Sequence, residues 1–222
     1  MHLLILGGSG RTGKVVIADA LYKGHTITAL VRKEGTLDPN PNLTIAIGTP
    51  LSRADVGAAF TTSGKPVDAV IVNLTALRET DSPFANPISP AMMMADAHSN
   101  LLSAMEKHNV RRLVTMSAFG AGDSFPNLNP LLKLLFRHSN MSYDFQFHDE
   151  VDKRVRAAGN VDWTLVRPVM LADGASKPCK DHGDLGKDVW VTASITRASA
   201  ARMLLDAAES RKWIKRTPVV SD

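Results

Sequence analysis

A glycine-rich turn near the amino terminus has the composition and spacing of a phosphate-binding loop. It contains Gly7, Gly10 and Gly13, which recur every three residues along Gly-Gly-Ser-Gly-Arg-Thr-Gly. The apolar run Leu3–Leu6 precedes this turn, and a helical pattern follows it. A strand, a glycine turn and a helix in this order let the chain bend sharply and aim free N–H groups at an anion. This order of elements predicts a dinucleotide-binding site.

Two basic residues indicate which dinucleotide is bound. Arg32 and Lys33 follow the predicted strand Thr26–Val31, about 20 residues beyond the glycine turn, where an acidic residue binds the ribose of NAD and a basic one pairs with the 2′-phosphate of NADP. Arg11, inside the turn, is a second cation placed to reach the same phosphate. The alternative is that the two basic residues are only a solvated strand end. The pattern favours NADPH over NADH.

The elements that must position these residues alternate along the chain. Short apolar runs and helical patterns follow one another, which predicts an α/β fold: a single Rossmann-type, doubly wound parallel sheet with helices on both faces. The predicted strands are 3–6, 26–31, 43–47, 69–74, 113–116 and 163–166, and the predicted helices are about 14–24, 53–62, 90–108 and 146–158. Ser89 is predicted to cap the third helix, with Pro90 at its first position.

Residues 1–222 are expected to form one NAD(P)-binding domain with a small carboxyl-terminal substrate-binding annex. Three segments that follow predicted strands, 78–86, 119–142 and 173–188, interrupt the regular pattern and are expected at the ligand-binding edge. The apolar island Leu131–Phe136 is either a lid over a flat substrate or a helix docked on the core. The segment from Trp213 to Val220 is interpreted as a last edge strand.

The composition indicates which binding partners and which cellular compartment suit this chain. The net charge of +4 comes from scattered basic residues, which disfavours a nucleic-acid partner and suits an anionic cofactor. Cys179 is the only cysteine, which is typical of a reducing compartment. The chain shows no cleavable leader, no apolar stretch long enough for a membrane and no metal-binding motif, so a soluble cytoplasmic protein is expected. A monomer is favoured, and a dimer remains possible.

The chain resembles the atypical short-chain dehydrogenases/reductases, in particular the compact NAD(P)H-binding group that includes biliverdin-IXβ reductase/flavin reductase and the NmrA-like proteins. The resemblance covers nearly the whole chain. It rests on the glycine turn, on Val31-Arg32-Lys33, and on three strand ends, which are Asn73-Leu74-Thr75-Ala76, Thr115-Met116-Ser117-Ala118 and Trp163-Thr164-Leu165-Val166-Arg167-Pro168.

The resemblance implies roles for individual residues. The stretch Gly10, Arg11, Thr12 and Gly13, with Ser9, is expected to hold the pyrophosphate, and Gly7 belongs to the same cofactor-binding set. Leu74, Thr75 and Ala76 are expected to line the adenosine and the nicotinamide ribose, and the residues expected around the nicotinamide are Ser117, Arg167, Pro168 and Val169. Ser117 stands at the family's active-site serine, and His148 stands roughly where many relatives carry a histidine or lysine. Each has an ordinary alternative, which is a turn cap for Ser117 and a surface position for His148.

One departure affects the proton donor. The parent family uses Tyr-x-x-x-Lys, and this pair does not occur here. Tyr143 and His148 are the remaining candidates, and Asp152, one helical turn after His148, is expected to orient the imidazole. The absence of the pair suits hydride transfer to a flavin, quinone, tetrapyrrole or aromatic carbonyl, where solvent can supply the proton. The leading hypothesis is therefore an NADPH-dependent reductase acting on a small or flat conjugated acceptor.

Two other functions compete with the reductase hypothesis. The first is a non-catalytic, NmrA-like dinucleotide sensor, which the missing tyrosine–lysine pair favours. The second is an epimerase or dehydratase acting on a nucleotide sugar, which needs that pair and more carboxyl-terminal chain. Steady oxidation of NADPH with an acceptor panel separates the reductase from the sensor.

Overall fold

Buried apolar strands form the centre of the computed structural model, which describes residues 1–80, 82, 84–90 and 92–222, without the side chains at 135–137, 141 and 144. The strands are β1 (His2–Leu6), β2 (Thr26–Val31), β3 (Leu43–Ile47), β4 (Ala69–Val72), β5 (Arg112–Met116), β6 (Asp162–Pro168), β7 (Met170–Ala172), β8 (Lys180–Asp181), β9 (Ser194–Thr196) and β10 (Val219–Ser221). The helices are α1 (Arg11–Tyr22), α2 (Arg53–Ala59), α3 (Met93–Lys107), α4 (Pro130–Arg137), α5 (Met141–Ala157) and α6 (Arg197–Glu209), with a 3-10 helix at Gly122–Asn127.

The main sheet is Rossmann-like and mostly parallel. Within the described residues its strand order is β3-β2-β1-β4-β5-β6-β10-β8, and only the short β8 runs antiparallel to its neighbour. Leu6 at the end of β1 pairs with Leu30 of β2 and Val72 of β4. This register brings the loops after β1, β2 and β4 to one edge of the sheet, where ligands bind in open α/β sheets.

Helices cover both faces of the sheet because each face presents a separate apolar layer. One layer joins the sheet to α1 and α6, with Val16 and Leu204 among its buried residues. The other joins it to α2, α3 and α5, through residues such as Val56, Leu101 and Val151. Strands buried on both faces read as continuous apolar runs, which is why the sequence shows them clearly.

The predicted α/β class and the six predicted strands are confirmed, with boundaries that shift by no more than two residues. The predicted cap of the third helix is wrong. Helix α3 begins at Met93 after Met92 in a left-handed conformation, and the Ser89 hydroxyl instead accepts a hydrogen bond from the Leu77 N–H at 2.8 Å. Pro90 therefore lies in the preceding loop, and Ala91 lies outside the described residues.

The carboxyl-terminal region differs most from the sequence prediction. Helix α6, which covers the β4–β6 part of the sheet, was not predicted because its buried residues are mainly alanines with a weak apolar period. The interpretation of the last segment as an edge strand is wrong, since β10 lies between β6 and β8. Strands β7 and β9 form a separate parallel pair beside it. No helix in the described part of the chain has the length and hydropathy needed to cross a bilayer.

Candidate functional site

The glycine turn between β1 and α1 is closely packed against the end of β4. Gly7 has a φ of +77°, and a Cβ atom there would lie 2.5 Å from the carbonyl oxygen of Asn73. A Cβ atom on Gly13 would overlap the Gly7 carbonyl, so both positions require glycine. The Gly10 N–H donates to that same carbonyl at 3.1 Å. The turn is therefore shaped by backbone approach, as a phosphate-binding turn must be.

The amino terminus of α1 is open to an anion. Among the described residues no side chain caps Gly10, and the first turn of the helix carries no acidic residue. Helix termini without internal partners leave N–H groups and a partial positive charge available for an anion. Thr12 is buried in this turn, whereas Ser9 and Arg11 are exposed. Ser9 and Arg11 are therefore the side chains of this turn that are accessible to a bound phosphate.

A cavity of about 310 Å³ opens beside this turn. Its lining residues are Leu6, Gly7, Ser9, Gly10, Leu30, Val31, Arg32, Thr49, Pro50, Leu51, Asn73, Leu74, Thr75, Leu77, Ile88, Ser89, Pro90 and Met93. The volume lies at the lower end of the range for small-molecule pockets. The carboxyl ends of four neighbouring strands, β1 to β4, and the loops that follow them thus line this cavity.

The cavity brings together part of the predicted cofactor set. It includes Gly7, Ser9, Gly10, Arg32, Leu74 and Thr75 from that set. Arg11, Thr12 and Gly13 lie in the adjoining helix, Lys33 is exposed beside Arg32, and Ala76 packs against the second apolar layer. Ser117, Pro168 and Val169 lie outside this cavity, at the ends of β5 and β6.

Arg32 lies at the cavity wall directly after β2. Its side chain is exposed and makes no ion pair or hydrogen bond with any residue that the structure describes. An arginine without a carboxylate partner can pair with a phosphate through two parallel N–H···O bonds. The position and the missing partner are those expected of a 2′-phosphate ligand.

The loop after β3 was missed in the sequence. Thr49, Pro50 and Leu51 line the cavity, and the Thr49 N–H donates to Asp55 Oδ2 at 2.9 Å, which fixes the loop to α2. Asn100 holds the same loop from α3 by donating to the Pro50 and Leu51 carbonyls at 3.1 and 3.0 Å. The rule that ligands bind beyond the carboxyl ends of strands would have identified these residues.

Buried polar atoms without a described partner occur directly after β4 and β5 and on α5, and we call Asn73, Ser117 and His148 the open polar group. Asn73 and Ser117 are 6 % and 5 % exposed. Both amide atoms of Asn73, the Ser117 Oγ and the His148 Nδ1 have no hydrogen bond within the described residues. Most buried polar atoms in proteins are paired, so unpaired atoms at a sheet edge indicate groups that await a ligand or water.

His148 is neutral near pH 7. Its pKa is lowered to about 4, first by burial and then by electrostatic interaction with His98 and with the Arg167 guanidinium. The expectation that Asp152 orients its imidazole is wrong, because the two Asp152 oxygens accept from Arg156 at 2.9 Å and from Arg167 at 3.4 Å. His148 therefore serves as a neutral hydrogen-bonding group rather than as a resident imidazolium acid.

His98 lies next to this region and is fully buried. Its Nδ1 lies 2.7 Å from the Met94 carbonyl and its Nε2 lies 3.2 Å from the Thr115 hydroxyl. Because the carbonyl only accepts, Nδ1 carries the proton and Thr115 donates to Nε2. Burial lowers the pKa of His98 to about 4, so this histidine is also neutral.

Tyr143 lies apart from His148. It is 44 % exposed and belongs to the first turn of α5, five residues before His148. Five residues rotate a side chain by about 140° around a helix, so the two residues present different faces. The structure does not bring the two proposed proton donors together.

Arg167 takes part in what we call the ion-pair cluster, formed by Asp123, Asp152, Arg156 and Arg167. The Arg167 side chain is wholly buried and donates to Asp123 at 2.5 Å and to the Asp184 carbonyl at 3.1 Å. Arg156 pairs with Asp123 at 3.2 Å. Burial alone would raise the pKa of Asp123, but the hydrogen bond and charge of Arg167 lower it below its ordinary value. Arg167 was expected in a wall facing the nicotinamide, and the structure instead places its side chain in this internal ion-pair cluster.

Exposed apolar side chains occur on two segments that follow β4 and β5. They are Leu77, Phe84 and Ile88 in the loop after β4, and Leu131 and Leu134 on α4. The Asn140 amide joins the two segments by donating to the Phe84 carbonyl at 3.0 Å. The apolar island is therefore helical with at least two leucines in solvent. Of the predicted loop 78–86, residues 81 and 83 lie outside the described residues.

No group of three or more metal-ligating side chains occurs among the described residues. The candidate site is thus built from backbone N–H groups, one arginine, neutral polar side chains and an apolar rim.

Comparisons with known proteins agree with this geometry. The model of the NAD(P)H-binding family matches residues 7–211. A short-chain dehydrogenase/reductase from Veillonella parvula DSM 2008, solved in complex with NADP, superimposes with a TM-score of 0.79 at 16 % identity, covering 100 % of this chain and 94 % of that one. ChuY, an anaerobillin reductase from Escherichia coli O157:H7, gives 0.77 at 16 % identity, covering 100 % and 97 %. A putative NAD-dependent epimerase/dehydratase from Bacillus halodurans gives 0.75 at 20 % identity, covering 100 % and 94 %.

Proposed function

Because this chain belongs to the NAD(P)H-binding family, we propose that it is an NADPH-dependent reductase that transfers hydride to a small or flat conjugated acceptor. The observation that carries the proposal is one cavity that joins the glycine turn to Arg32, which has no ion-pair partner among the residues that the structure describes. The open polar group provides hydrogen-bonding atoms for the reacting end of the ligand pair.

The preference for NADPH rests on charge. Arg32 lies where a 2′-phosphate is expected, and the cavity lining contains no acidic residue to bind a free 2′-hydroxyl. Lys33 and Arg11, both exposed near the same end, add positive charge. A structure of the same fold that was solved with NADP supports the assignment.

NADPH supplies a hydride from its nicotinamide ring when bound. The residues of this chain then have separate tasks. The N–H groups at the start of α1 bind the diphosphate, and Ser117 donates a hydrogen bond to the carboxamide or to an acceptor carbonyl. His148 binds a polar atom of the acceptor as a neutral imidazole, and the product's proton comes from solvent, because Tyr-x-x-x-Lys is absent.

The apolar rim supports a flat acceptor. Five exposed apolar residues line two segments beside the sheet edge, an arrangement that binds a ring system better than a sugar. Flavins, quinones, tetrapyrroles and aromatic carbonyls all fit this description. The fold shared with an anaerobillin reductase supports including linear tetrapyrroles in the panel.

The rival function is a dinucleotide sensor without turnover. The missing tyrosine–lysine pair favours it. The unpaired Ser117 and His148 favour the reductase, because a sensor has no need to keep buried hydrogen-bonding atoms unsatisfied beside the nicotinamide. The proposal includes a cytoplasmic monomer, in keeping with the single cysteine.

The first test is a side-by-side fluorescence titration with NADPH and NADH. We expect NADPH to bind at least tenfold more tightly, which corresponds to about 1.4 kcal/mol. Arg32→Glu should weaken NADPH binding by tenfold or more and leave NADH binding nearly unchanged. Arg111→Glu, which changes an exposed arginine at the opposite edge of the sheet, is the control and should alter neither. Equal losses for both dinucleotides in the Arg32 variant would remove Arg32 from the 2′-phosphate site.

The second test follows NADPH oxidation with flavins, quinones, a linear tetrapyrrole and aromatic carbonyls. Sustained turnover with one class supports the reductase. Tight NADPH binding without turnover on any of them would favour the sensor.

A further inference from the structure

The side-chain amide of Asn73 is buried and has no hydrogen-bond partner among the described residues. Asn73 directly follows β4 and is 6 % exposed, and both Nδ2 and Oδ1 lack such a partner. Leaving a buried polar group unsatisfied costs about 1–3 kcal/mol. Trp163 Nε1, Arg167 Nε, Ser176 Oγ and Ser210 Oγ are unpaired as well, and Asn73 differs from them because it lines the cavity beside the glycine turn.

The backbone holds this amide in place at the cavity. The Asn73 N–H donates to the Leu6 carbonyl at 2.9 Å, and the Asn73 carbonyl lies against Gly7, where even a Cβ atom would not fit. Asn73 is also one of the residues that line the cavity. These backbone contacts fix Asn73 beside the glycine turn, at the wall of the cavity, with its amide atoms buried.

The strand order indicates which part of a dinucleotide lies there. Across the sheet the order is β2, β1, β4 and β5, and the residues that follow these strands are Arg32, the glycine turn, Asn73 and Ser117. A dinucleotide has its own fixed order, which is adenosine 2′-phosphate, diphosphate, second ribose and nicotinamide. If Arg32 holds the 2′-phosphate and the glycine turn holds the diphosphate, the second ribose lies over β4.

We propose that the Asn73 side chain binds the two hydroxyl groups of the nicotinamide-side ribose. This inference rests on the proposed function. The amide offers donors at Nδ2 and an acceptor at Oδ1, and a ribose diol matches both because each hydroxyl donates and accepts. A diphosphate at this position would satisfy Nδ2 and leave Oδ1 unpaired, since its oxygens only accept. Asn73 is thus a positioning residue that fixes the sugar carrying the hydride donor.

Asn73→Leu tests the proposal because leucine has a similar volume and no polar atom. If the amide is kept for a ligand, the free variant should unfold at the same temperature as the parent or at a higher one. Asn100→Leu is the matched control: Asn100 Nδ2 donates to both the Pro50 and Leu51 carbonyls, so its loss should lower the unfolding temperature.

Binding is measured by calorimetry with two probes, NADPH and adenosine 2′,5′-bisphosphate, which lacks the second ribose. The Kd of Asn73→Leu for NADPH should rise at least tenfold, while its Kd for the bisphosphate should stay within twofold of the parent. Asn73→Ala, which removes the amide without adding bulk, should show the same selectivity and serves if the leucine variant does not fold.

The other outcomes are distinct. An unchanged NADPH Kd would overturn the proposal, and equal losses for both probes would place the effect at the diphosphate or the adenosine instead. If the parent protein binds neither probe, the proposed function itself fails and the inference falls with it. If the parent binds both probes and the Asn73→Leu variant keeps the parent's ratio of the two Kd values, the ribose assignment alone is overturned.

Discussion

Two sets of polar side chains follow or pack near the ends of β4, β5 and β6, and the protein pairs one set far more fully than the other, although Arg167 Nε has no partner among the described residues. In the ion-pair cluster, Arg167 is shared among two carboxylates and a carbonyl. In the open polar group, Asn73, Ser117 and His148 each keep at least one buried atom without a described partner. The contrast separates polar groups that hold segments of the fold together from the polar groups to which we assign ligand contacts in the proposed function.

The ion-pair cluster ties four segments together. Arg167 belongs to β6, Asp123 to the 3-10 helix and Asp152 to α5, and the Asp184 carbonyl comes from the loop after β8. Gly122 completes the packing, because a Cβ atom there would lie 2.8 Å from Asp152 Oδ2. The cluster therefore orients the 3-10 helix that follows Ser117 and the helix α5 that carries His148. It does so without contacting a ligand.

The largest effect is expected from breaking the ion-pair cluster. Arg167→Met should lower the free energy of unfolding by about 3–5 kcal/mol, because it leaves the buried Asp152 without its full complement of charge. Urea denaturation measures the loss. Arg111→Gln, which breaks an exposed pair with Asp162 at 3.4 Å, is the control and should cost less than about 1 kcal/mol. Similar losses in the two variants would show that the cluster is not structural.

Acid should weaken the fold through the buried histidines. Burial lowers the pKa of His98 to about 4, below its unfolded value of 6.5, so between these values the unfolded chain binds a proton that the folded chain excludes. Stability therefore rises with pH across this window and falls as pH drops from 6.5 towards 4, by about 3 kcal/mol for one such group. His98→Gln should flatten urea-denaturation midpoints measured from pH 4.5 to 7. If the midpoints of the variant change with pH as steeply as those of the parent, the pH dependence of stability comes from other groups.

The smallest effect on stability is expected from Ser117. Its hydroxyl has no described partner, so Ser117→Ala should change the free energy of unfolding by less than about 0.5 kcal/mol. The same variant should lower turnover by tenfold or more while leaving the NADPH Kd nearly intact. Unchanged turnover would reduce Ser117 to a structural residue. Ser124→Ala is the control, because that hydroxyl bonds the Gly120 N–H at 2.9 Å and its loss should destabilise the protein.

The sequence predicted the parts that depend on local pattern. Apolar runs marked the strands up to β6, since strands buried on both faces are rich in Leu, Ile and Val. The glycine spacing marked the turn, because overlap of a Cβ atom with backbone leaves no other residue possible at Gly7 and Gly13. The position of Arg32 followed from counting along the chain to the end of the second strand.

Other features depended on packing between distant segments. The alanine-rich helix α6 is defined by its contact with α1 rather than by an apolar stripe of its own. Asp152 was expected to serve His148, one turn away, yet it pairs with Arg167 from a different element. Spacing along one helix cannot show which of two neighbouring charges a carboxylate will choose.

The sequence by itself thus determined the class of fold, the phosphate-binding turn and the basic residue beside it, because each follows from steric and periodic rules that act within a few residues. Tertiary structure alone decided which buried polar groups are paired. Arg167 and Ser117 both follow apolar residues near a strand end, and no local pattern distinguishes them. Only the approach of the 3-10 helix and α5 gives Arg167 its carboxylate partners, whereas the Ser117 hydroxyl has none in the part of the chain that the structure describes.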